Sequence, residues 1–296
     1  MSLVPYDDRD GLIWLDGTMV PWRDAKLHVL SHALHYASCV FEGERVYDGR
    51  IFKLTAHSQR LAESAKVLGF EVPYDIAAVD EACRRVVATN GIHDGYVRPV
   101  AWRGAEMMGV SAQKCRIHVA IAAWTWPAYF TPEARLKGIR MTRGRYARPA
   151  PNTAPVKSKA AGLYMICTLS KHEAEAKGYD DALMLDYRGY LAEGTGANLF
   201  LAIEGKLHTP TPDCFLDGIT RRTVIELAKA RGVEVIERHL EPKELTRADE
   251  VFLTGTAVEV TPVREIDEHG FEVGPITRQL IADFDALTRQ PTLQAG

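Results

Sequence analysis

The sequence predicts an α+β protein of two lobes, each combining helices with strands. Its 296 residues, at about 150 residues per domain, suggest two domains. Helix-like and strand-like patterns alternate in both halves of the chain. Between Pro127 and Pro155 five prolines interrupt these patterns, because proline is excluded from helix interiors. We therefore expect a small α/β domain at residues 1–128, a linker at 129–136 and a larger domain at 137–296.

The elements of the first half follow from local patterns. Asp16-Gly17 between two short apolar runs is typical of a hairpin. Helical spacing of apolar residues predicts a helix that starts near Thr55 as N-cap and stops at Gly69, and a second one that starts at Ile76 and stops at Asn90-Gly91. Runs of β-branched and aromatic residues predict two strands, at 96–102 and 117–123.

The second half continues in the same manner. The segment 148–152 is too rich in proline for a helix interior. A long helix is expected at 162–177, ended by Gly178, and a shorter one at 220–230, ended by Gly232. The predicted strands are 182–186, 190–193, 199–203, 233–237 and 250–253, of which the first two form a hairpin at Arg188-Gly189.

Composition excludes several classes of protein. With 46% hydrophobic and 25% charged residues, the chain is neither disordered nor fibrous. The net charge of −3 is not concentrated in runs, so we expect no nucleic-acid partner. Apolar stretches such as 119–124 are far shorter than the ~20 residues that span a bilayer, and the charged segment 6–10 does not suit a signal peptide. We expect a soluble, cytoplasmic protein with no membrane partner.

Cysteine and histidine patterns do not indicate a metal site. No Cys-x-x-Cys pair occurs among the five cysteines, so we expect reduced and mostly buried thiols. His28, His32 and His35 have the spacing of helical ligands but lack the glutamate of a His-Glu-x-x-His motif. Hydrogen-bonded structural histidines, with no metal, are the expectation. The Gly194-Thr195-Gly196 run lacks the third glycine of a dinucleotide loop and predicts a tight turn instead.

Four features within about one hundred residues point to chemistry. Lys159 precedes a helix and is followed by small residues, although a lysine in such a place is usually a solvated charge. Glu193 ends a strand and precedes glycines that allow a ligand close to the backbone, although an exposed turn glutamate would look the same. The segment 216–221 begins a helix with glycine and threonine, a pattern typical of a helix N-terminus that binds phosphate. An ordinary N-cap would look the same. Gly255-Thr256-Ala257 follows an apolar strand and forms a second such loop.

A signature run connects these features, and further matches extend over nearly the whole chain. Its positions are Glu193, Asn198, Leu199, Phe200, Leu207, Thr209, Leu216, Gly218, Ile219 and Arg221, with further matches at 31–36, 40–43, 255–257 and 261–263. Through these positions the chain resembles the class IV pyridoxal-phosphate aminotransferases, and among them the branched-chain amino acid aminotransferases. The resemblance implies fold type IV, with a small N-terminal lobe and a larger, barrel-like C-terminal lobe.

The resemblance also implies the residues that bind pyridoxal 5′-phosphate. Lys159, rather than Lys157, would be the catalytic residue that forms the Schiff base with the cofactor aldehyde. Glu193 would pair with the pyridine nitrogen, and Tyr164 with the phenolic oxygen. The phosphate would be held by Ile219 and Thr220 at a helix N-terminus, by Thr256 in the second loop and by Arg60 on an earlier helix. Leu216 would lie beside them.

The substrate side follows from the same resemblance. Arg98 would bind the distal carboxylate of glutamate, with Arg45 in support, and the backbone of Thr256 and Ala257 would take the α-carboxylate. The pocket would be lined by aromatic side chains: Tyr36, Phe41, Tyr96, Trp126 and Tyr129. Met108 and Val110 belong to a loop that this subgroup contributes across a dimer interface, so a homodimer or an assembly of dimers is expected.

The implied reaction is transamination between a branched-chain L-amino acid (leucine, isoleucine or valine) and 2-oxoglutarate. A D-amino acid or (R)-amine aminotransferase, and aminodeoxychorismate lyase, share the fold, the lysine and the acid; Arg98, Tyr96 and the Met108 loop argue against both. A cofactor-binding scaffold without turnover is the third alternative, and the intact Lys159 argues against it. The chain departs from the subgroup pattern at Cys39 and at Glu44, which is expected to add a charge near the entrance of the site.

Overall fold

The computed structural model describes residues 5–126 and 129–289. The chain divides into two compact units. The first takes Met1–Pro127 and Ser158–Leu163, and the second takes Ala128–Lys157 and Tyr164–Gly296. The short segment that carries Lys159 therefore belongs to the first unit, although the chain on either side of it belongs to the second.

The first unit is built on a seven-stranded sheet with the order β2-β1-β7-β6-β4-β5, and β3 also pairs with β6. Its strands are β1 (Leu12–Leu15), β2 (Thr18–Pro21), β3 (Cys39–Phe41), β4 (Glu44–Tyr47), β5 (Arg50–Ile51), β6 (Gly95–Arg103) and β7 (Ile117–Thr125). All the pairings between these strands are antiparallel. The predicted hairpin is confirmed, because Asp16 and Gly17 both have positive φ angles between β1 and β2.

Three helices accompany this sheet: α1 (His32–Tyr36), α2 (Leu54–Val67) and α3 (Ile76–Thr89). Apolar residues of α2 and α3, such as Leu61 and Val86, pack with strand residues such as Val97 in one buried core. The expected N-cap at Thr55 is wrong, because α2 begins one residue earlier and is preceded by Lys53 in the left-handed region. Asp75 caps α3 by accepting a hydrogen bond from Ala78 N at 2.8 Å.

The second unit is built on a nine-stranded sheet. Its strands are β8 (Ile139–Arg143), β9 (Asp181–Leu185), β10 (Leu191–Glu193), β11 (Asn198–Ile203), β12 (Lys206–Pro210), β13 (Val235–Arg238), β14 (Glu250–Gly255), β15 (Glu259–Ile266) and β16 (His269–Gly270). The strand order is β10-β9-β8-β15-β14-β11-β12-β13, and β10 also pairs with β11. That last pairing closes β8–β11, β14 and β15 into a barrel-like ring around a core that includes Leu183, Leu199 and Leu253.

The helices of the second unit are α4 (Pro132–Lys137), α5 (Met165–Ala176), α6 (Ile219–Ala230) and α7 (Pro275–Thr288). The helix expected at 162–177 is partly wrong, because its first turn is a 3₁₀ helix at Ala161–Tyr164 and the α-helical part begins at Met165. The strands and α-helices of this unit that were not predicted are β8, β12, β15, β16, α4 and α7. Of the helices that the structure describes, none combines the length and the apolar composition needed to cross a membrane.

Candidate active site

Lys159 is held in the first unit by main-chain contacts on both sides. Its carbonyl accepts a hydrogen bond from Phe41 N at 3.1 Å, and its own N–H donates to Ser64 Oγ at 3.0 Å. The next residue, Ala160, forms a β-bridge with Val40. The Nζ atom lies 4.8 Å from the centre of the Phe41 ring. The strand β3 thus fixes the backbone of the lysine and an aromatic face beside its amine.

The environment of Lys159 favours the neutral amine. Burial, and next the positive charge of Arg60, lower the pKa of Lys159 from 10.5 to about 8. The negative charge of Glu42 acts in the opposite direction. An amine with such a pKa carries a useful neutral fraction near neutral pH, which is what attack on a carbonyl requires. Lys157, two residues earlier, is exposed.

Arg60 forms an ion pair with Glu42, a residue for which the sequence predicted no role. Glu42, directly after β3, is fully buried. Its Oε1 accepts from Arg60 Nε at 2.6 Å, and its Oε2 accepts from Arg60 Nη2 at 2.8 Å. Nδ1 of the buried His57 lies 2.7 Å from the same Oε2. The Arg60 charge holds the pKa of Glu42 well below its usual range, against the opposing effect of burial.

Aromatic and cationic side chains converge on the same sheet. The Arg98 guanidinium lies 4.8 Å from the Phe41 ring centre and 5.3 Å from that of Tyr96. The Tyr96 ring packs edge-on against Trp126 at 4.6 Å, and Arg45 Nη1 donates to Trp126 O at 3.3 Å. The structure therefore brings together five of the predicted substrate residues.

Gly43 allows this cluster to form. A Cβ atom at Gly43 would lie 1.7 Å from the hydroxyl of Tyr96. Only a residue without a side chain lets the phenol approach the backbone so closely.

The remaining predicted substrate residues of the first unit lie at its surface. Tyr36 and Met108 are both exposed, and the Tyr36 hydroxyl donates to Met108 O at 3.2 Å. Val110 is 85% exposed. His32, on α1, lies 3.0 Å from Gly109 O through Nε2 and 2.7 Å from Ser38 Oγ through Nδ1. This segment is an exposed apolar surface anchored by hydrogen bonds.

Glu193 is the centre of a buried cluster in the second unit. It ends β10 and pairs with Asn198 at the start of β11. Because it is only 8% exposed, the alternative of an exposed turn glutamate is wrong. Its Oε1 lies 3.2 Å from Arg148 Nε in an ion pair, and Arg148 Nη1 lies 3.2 Å from Cys167 Sγ. Burial alone would lower the pKa of Arg148, but Glu193 and other negative groups outweigh it and raise the pKa.

Asn198 connects this acid with the segment before α6. Its Nδ2 lies 3.0 Å from Leu216 O and 3.4 Å from Glu193 Oε2, donating to both. Its Oδ1 accepts from Gly218 N at 3.2 Å. A Cβ atom at Gly218 would lie 2.2 Å from that oxygen, so the contact depends on a glycine at this position.

The N-terminus of α6 is suited to an anion. Gly218 is its N-cap and offers no side-chain cap, so the first N–H groups, including those of Ile219 and Thr220, point along the helix axis without an intrahelical partner. The first turn contains no acidic residue. Thr256 and Ala257 follow β14 and are half-buried. The segment before α6 therefore leaves helix N–H groups available, and the second predicted loop follows a strand as expected.

The two other aromatic candidates belong to the second unit. Tyr164 is half-buried at the end of the 3₁₀ turn and is the residue before α5. Tyr129 is 43% exposed, and its ring centre lies 5.9 Å from Lys171 Nζ.

The expectation for Glu44 is wrong. Glu44 is fully buried, and neither carboxylate oxygen has a hydrogen-bond partner among the described residues. Burial, with the nearby charges of Glu42 and Asp80, raises its pKa well above the ordinary value of 4.5. Glu44 is therefore a buried acid whose surroundings favour the protonated form, and it does not lie exposed near an entrance.

The expectations of free, mostly buried thiols and of hydrogen-bonded histidines are confirmed. All five cysteines are free thiols, of which Cys39 alone is not buried. Each of the three spaced histidines takes part in a hydrogen bond. Asp186, Asp213 and Cys214 do lie close enough together to hold an ion, but Arg188 pairs with both carboxylates at 2.6 and 2.9 Å.

Four residues that build these clusters received no role from the sequence: Glu42, His57, Arg148 and Asn198. For Glu42 a signal was available, because it directly follows the apolar residues 39–41, and an acid drawn into a core beside such residues needs a cation. Arg148 lies in a proline-rich segment without periodicity, and no pattern of the sequence indicates its ion pair with Glu193.

Comparison with known proteins identifies the class to which this fold and these clusters belong. The sequence profile of the family "Amino-transferase class IV" matches residues 39–266. The chain belongs to the class IV amino-transferases and is an aminotransferase; this class uses pyridoxal 5′-phosphate.

Individual relatives agree with this assignment. The chain is 42% identical over 280 residues to the branched-chain-amino-acid aminotransferase of Pseudomonas aeruginosa, covering 92% of this chain and 91% of that one. It matches the crystal structure of the Escherichia coli branched-chain amino acid aminotransferase with a TM-score of 0.92 and 41% identity, over 97% and 98% of the two chains. The T.th. enzyme of the same name, complexed with N-(5′-phosphopyridoxyl)-L-glutamate, gives a TM-score of 0.90 and 41% identity, over 96% of each chain.

The side chains and helix ends described above fit pyridoxal 5′-phosphate. The pKa of about 8 at Lys159 suits an amine that reacts with an aldehyde. A buried acid such as Glu193 suits a protonated ring nitrogen, and the N-terminus of α6 suits a phosphate.

Proposed function

We propose that this enzyme transfers an amino group between a branched-chain L-amino acid and 2-oxoglutarate, giving the branched 2-oxo acid and L-glutamate. The observation that carries the proposal is Lys159, a half-buried lysine whose amine has a pKa of about 8, held by β3 beside an aromatic ring in a chain of this family. The relatives that the chain matches over nine-tenths of its length carry the same activity in their names, which supports this substrate class.

The proton transfer is assigned to Lys159. Bound pyridoxal 5′-phosphate would supply an electron-withdrawing ring that stabilises the negative charge left on the substrate when the α-proton is removed. Lys159 would bind the cofactor aldehyde, and its released amine would then take the α-proton from the substrate and deliver it to C4′ of the cofactor, the carbon that carried the aldehyde. The neutral form of Nζ is needed for attack on the aldehyde and for removal of the α-proton. Burial together with the charge of Arg60 favours that form.

Glu193 would hold a proton at the ring nitrogen, because a carboxylate beside that atom favours its protonated form. Arg148, 3.2 Å away, would keep Glu193 ionised and oriented, since a buried carboxylate without a counter-ion tends to take up a proton. Tyr164 would donate to the phenolic oxygen of the cofactor. The phosphate would be bound by Arg60 and by groups at two loop ends, with Leu216 alongside: Ile219, Thr220 and Thr256.

The substrate groups are assigned in the same way. Phe41, Tyr96 and Trp126 would form an apolar surface for a branched side chain, with Tyr36 and Tyr129 at its margins. Arg98, stacked on two of these rings, would bind the distal carboxylate of glutamate, and Arg45 would support it. Backbone N–H groups of Thr256 and Ala257 would bind the α-carboxylate, as exposed loop amides bind anions elsewhere.

A homodimer is part of the proposal. The exposed segment around Met108 and Val110, together with Leu34 and Tyr36, is an apolar surface of a kind that marks protein interfaces. We assign this surface to a second copy of the chain, and we assign the enzyme to the cytoplasm because its cysteines are free thiols. The division into a small domain, a linker and a larger domain at 128 and 136 remains part of the same proposal.

Spectroscopy of the purified holoenzyme tests the reaction. Adding L-leucine or L-glutamate should remove the absorbance of the bound aldehyde form, and adding 4-methyl-2-oxopentanoate or 2-oxoglutarate should restore it. A matched panel of D-alanine and an (R)-amine serves as control and should leave the spectrum unchanged. If only the D-alanine or the amine alters the spectrum, the proposed substrate class is wrong although the family assignment stands.

A further inference from the structure

We propose that Glu42 is a positioning residue for Arg60, and that the same carboxylate balances the Arg60 charge that acts on the Lys159 amine. The first half rests on the phosphate-binding role proposed for Arg60. The second half depends only on groups within the first unit, so the two halves are tested by separate measurements.

The geometry fixes the plane of the Arg60 guanidinium. Both Glu42 oxygens accept from it, one from Nε at 2.6 Å and the other from Nη2 at 2.8 Å. Such a two-point contact defines the orientation of a planar fork, whereas a single contact leaves it free to rotate. Because one edge of the guanidinium faces Glu42, its remaining N–H groups are directed away from that carboxylate.

His57 fixes the carboxylate in turn. Burial lowers the pKa of His57, so its ring is neutral at neutral pH. A carboxylate can only accept, and Nδ1 lies 2.7 Å from Glu42 Oε2, so Nδ1 carries the hydrogen and donates. The Gly43 N–H donates to the same oxygen at 3.3 Å. With Glu42 fully buried and both oxygens engaged, the carboxylate has little freedom to change rotamer.

This group lies beside Lys159, because the Lys159 backbone bonds to Phe41 N, one residue before Glu42, and to Ser64 Oγ, one helical turn after Arg60 on α2. Its two charges act on the Lys159 amine in opposite directions. Arg60 lowers the pKa of Lys159 and Glu42 raises it, after the larger lowering effect of burial. Neutralising Glu42 would therefore leave the Arg60 charge uncompensated and lower the pKa of Lys159 below about 8. Neutralising Arg60 would have the reverse effect. Tyr96 also raises the pKa of Lys159 and Arg98 also lowers it. The ion pair is therefore one of several influences on how much neutral amine is present at a given pH.

Glu44 provides a matched control two residues away. It is also a fully buried glutamate, but its oxygens have no hydrogen-bond partner among the described residues. The charged and titratable groups that act on it are Glu42 from the preceding loop, Asp80 from α3 and Arg60 from α2. Because the surroundings of Glu44 favour its protonated form, Glu44→Gln is an uncharged replacement for that form, whereas Glu42→Gln removes the negative partner of the Arg60 guanidinium.

Two measurements on the apoenzyme test the proposal. Labelling of Lys159 with trace acetic anhydride between pH 6 and 10, followed by mass spectrometry, reports its neutral fraction. Binding of inorganic phosphate, followed by calorimetry, reports the Arg60 site. In Glu42→Gln we expect the labelling midpoint to fall below the wild-type value of about 8. Phosphate affinity should fall about ten-fold, as for loss of a hydrogen bond to a charged group. Glu44→Gln should match the wild type in both.

Glu42→Asp separates orientation from charge and also serves if Glu42→Gln does not fold. Aspartate keeps the negative charge but is one methylene too short for the two-point contact, so the Lys159 midpoint should stay near the wild-type value while phosphate affinity falls. An unchanged midpoint and unchanged phosphate affinity in Glu42→Gln would overturn the proposal, as would unchanged phosphate affinity in Glu42→Asp. If Arg60→Met binds phosphate as the wild type does, the role proposed for Arg60 fails, and the labelling midpoint of Glu42→Gln still decides the second half.

Discussion

The side-chain oxygen of Asn198 accepts a hydrogen bond from the Gly218 N–H at 3.2 Å, while the amide nitrogen of the same side chain donates to Glu193 and to Leu216 O. A single buried amide therefore connects the acid at the end of β10 with the residue that begins α6. The amide side chain offers both donors and an acceptor at this position, whereas an aspartate carboxylate offers only acceptors and leucine offers neither.

Asn198→Asp should destabilise the protein. The new carboxylate would face Leu216 O and the Glu193 carboxylate with no hydrogen to donate, so we expect the free energy of unfolding to fall by about 1–3 kcal/mol. Urea denaturation of the apoenzyme measures this. Asn152→Asp is the control, because Asn152 is exposed and its replacement should change little. Equal stability of the two variants would show that the contacts of Asn198 contribute nothing.

Arg148→Met should lower the free energy of unfolding more than Asn198→Asp does. It removes the cation 3.2 Å from the buried Glu193 carboxylate, and breaking a buried ion pair by removing one partner costs about 3–5 kcal/mol. Thermal unfolding of the apoenzyme tests this against Arg143→Met, a change at an exposed position. The double variant Arg148→Met with Glu193→Gln should recover part of the loss, since the uncompensated charge is then gone. No recovery in the double variant would contradict the argument.

Replacing Glu44 with leucine should stabilise the protein in a pH-dependent way. The folded pKa of Glu44 is raised above its ordinary value of 4.5, so the folded state binds the proton more tightly than the unfolded state. The wild type therefore loses stability as pH rises from about 4.5 towards the folded pKa. Glu44→Leu escapes this loss and also removes an unpaired polar group worth about 1–3 kcal/mol. The difference in the free energy of unfolding between Glu44→Leu and the wild type should be smallest near pH 4 and larger at pH 7.

Urea titrations at several pH values measure that advantage. Glu63→Leu is the control, because Glu63 lies at an exposed position of α2, and its effect should stay within about 0.5 kcal/mol across the range. A stability gain for Glu44→Leu that shrinks as pH rises would contradict the buried, neutral state of Glu44.

Lys159→Ala should separate cofactor binding from turnover. The proposed phosphate and ring contacts are made by other residues, so we expect the variant to retain pyridoxal 5′-phosphate non-covalently and to lose multiple turnover. Steady-state assays with L-leucine and 2-oxoglutarate measure activity, and filtration followed by absorbance measures retained cofactor. Lys157→Ala, at an exposed position, should behave as the wild type. Steady-state activity at the wild-type rate in Lys159→Ala would assign the catalytic role to another residue.

The sequence predicted what local patterns encode. Helix α3 begins and ends close to the expected residues because Asp75 and Gly91 act within a few positions of the apolar stripe. Glycines with positive φ, such as Gly69 and Gly178, follow the ends of the helices they were expected to stop. The start of α2 was misplaced because Lys53 adopts a left-handed conformation that no residue preference indicates.

The site needed more than local patterns. The family resemblance supplied Lys159 and Glu193, but their supporting residues come from distant positions in the sequence: Arg148 lies 45 residues before Glu193, and Glu42 lies 18 residues before Arg60. Glu44 shows the converse error. A glutamate in sequence is most often exposed, and only the folded structure shows that this one is buried near Glu42 and Asp80, which favours its protonated form.

The segment Ser158–Leu163 completes the first unit from far along the chain, with Ala160 bridged to Val40 and Ser158 Oγ bonded to Ser64 O at 2.9 Å. During synthesis on the ribosome, residues up to 126 are made before residues 158–163. Until those later residues are made, Val40 of β3 lacks its bridge to Ala160. The lysine to which we assign the chemistry is thus synthesised after the strands and helices that surround its backbone, and a fragment ending near residue 126 would be an unfinished lobe that lacks this lysine.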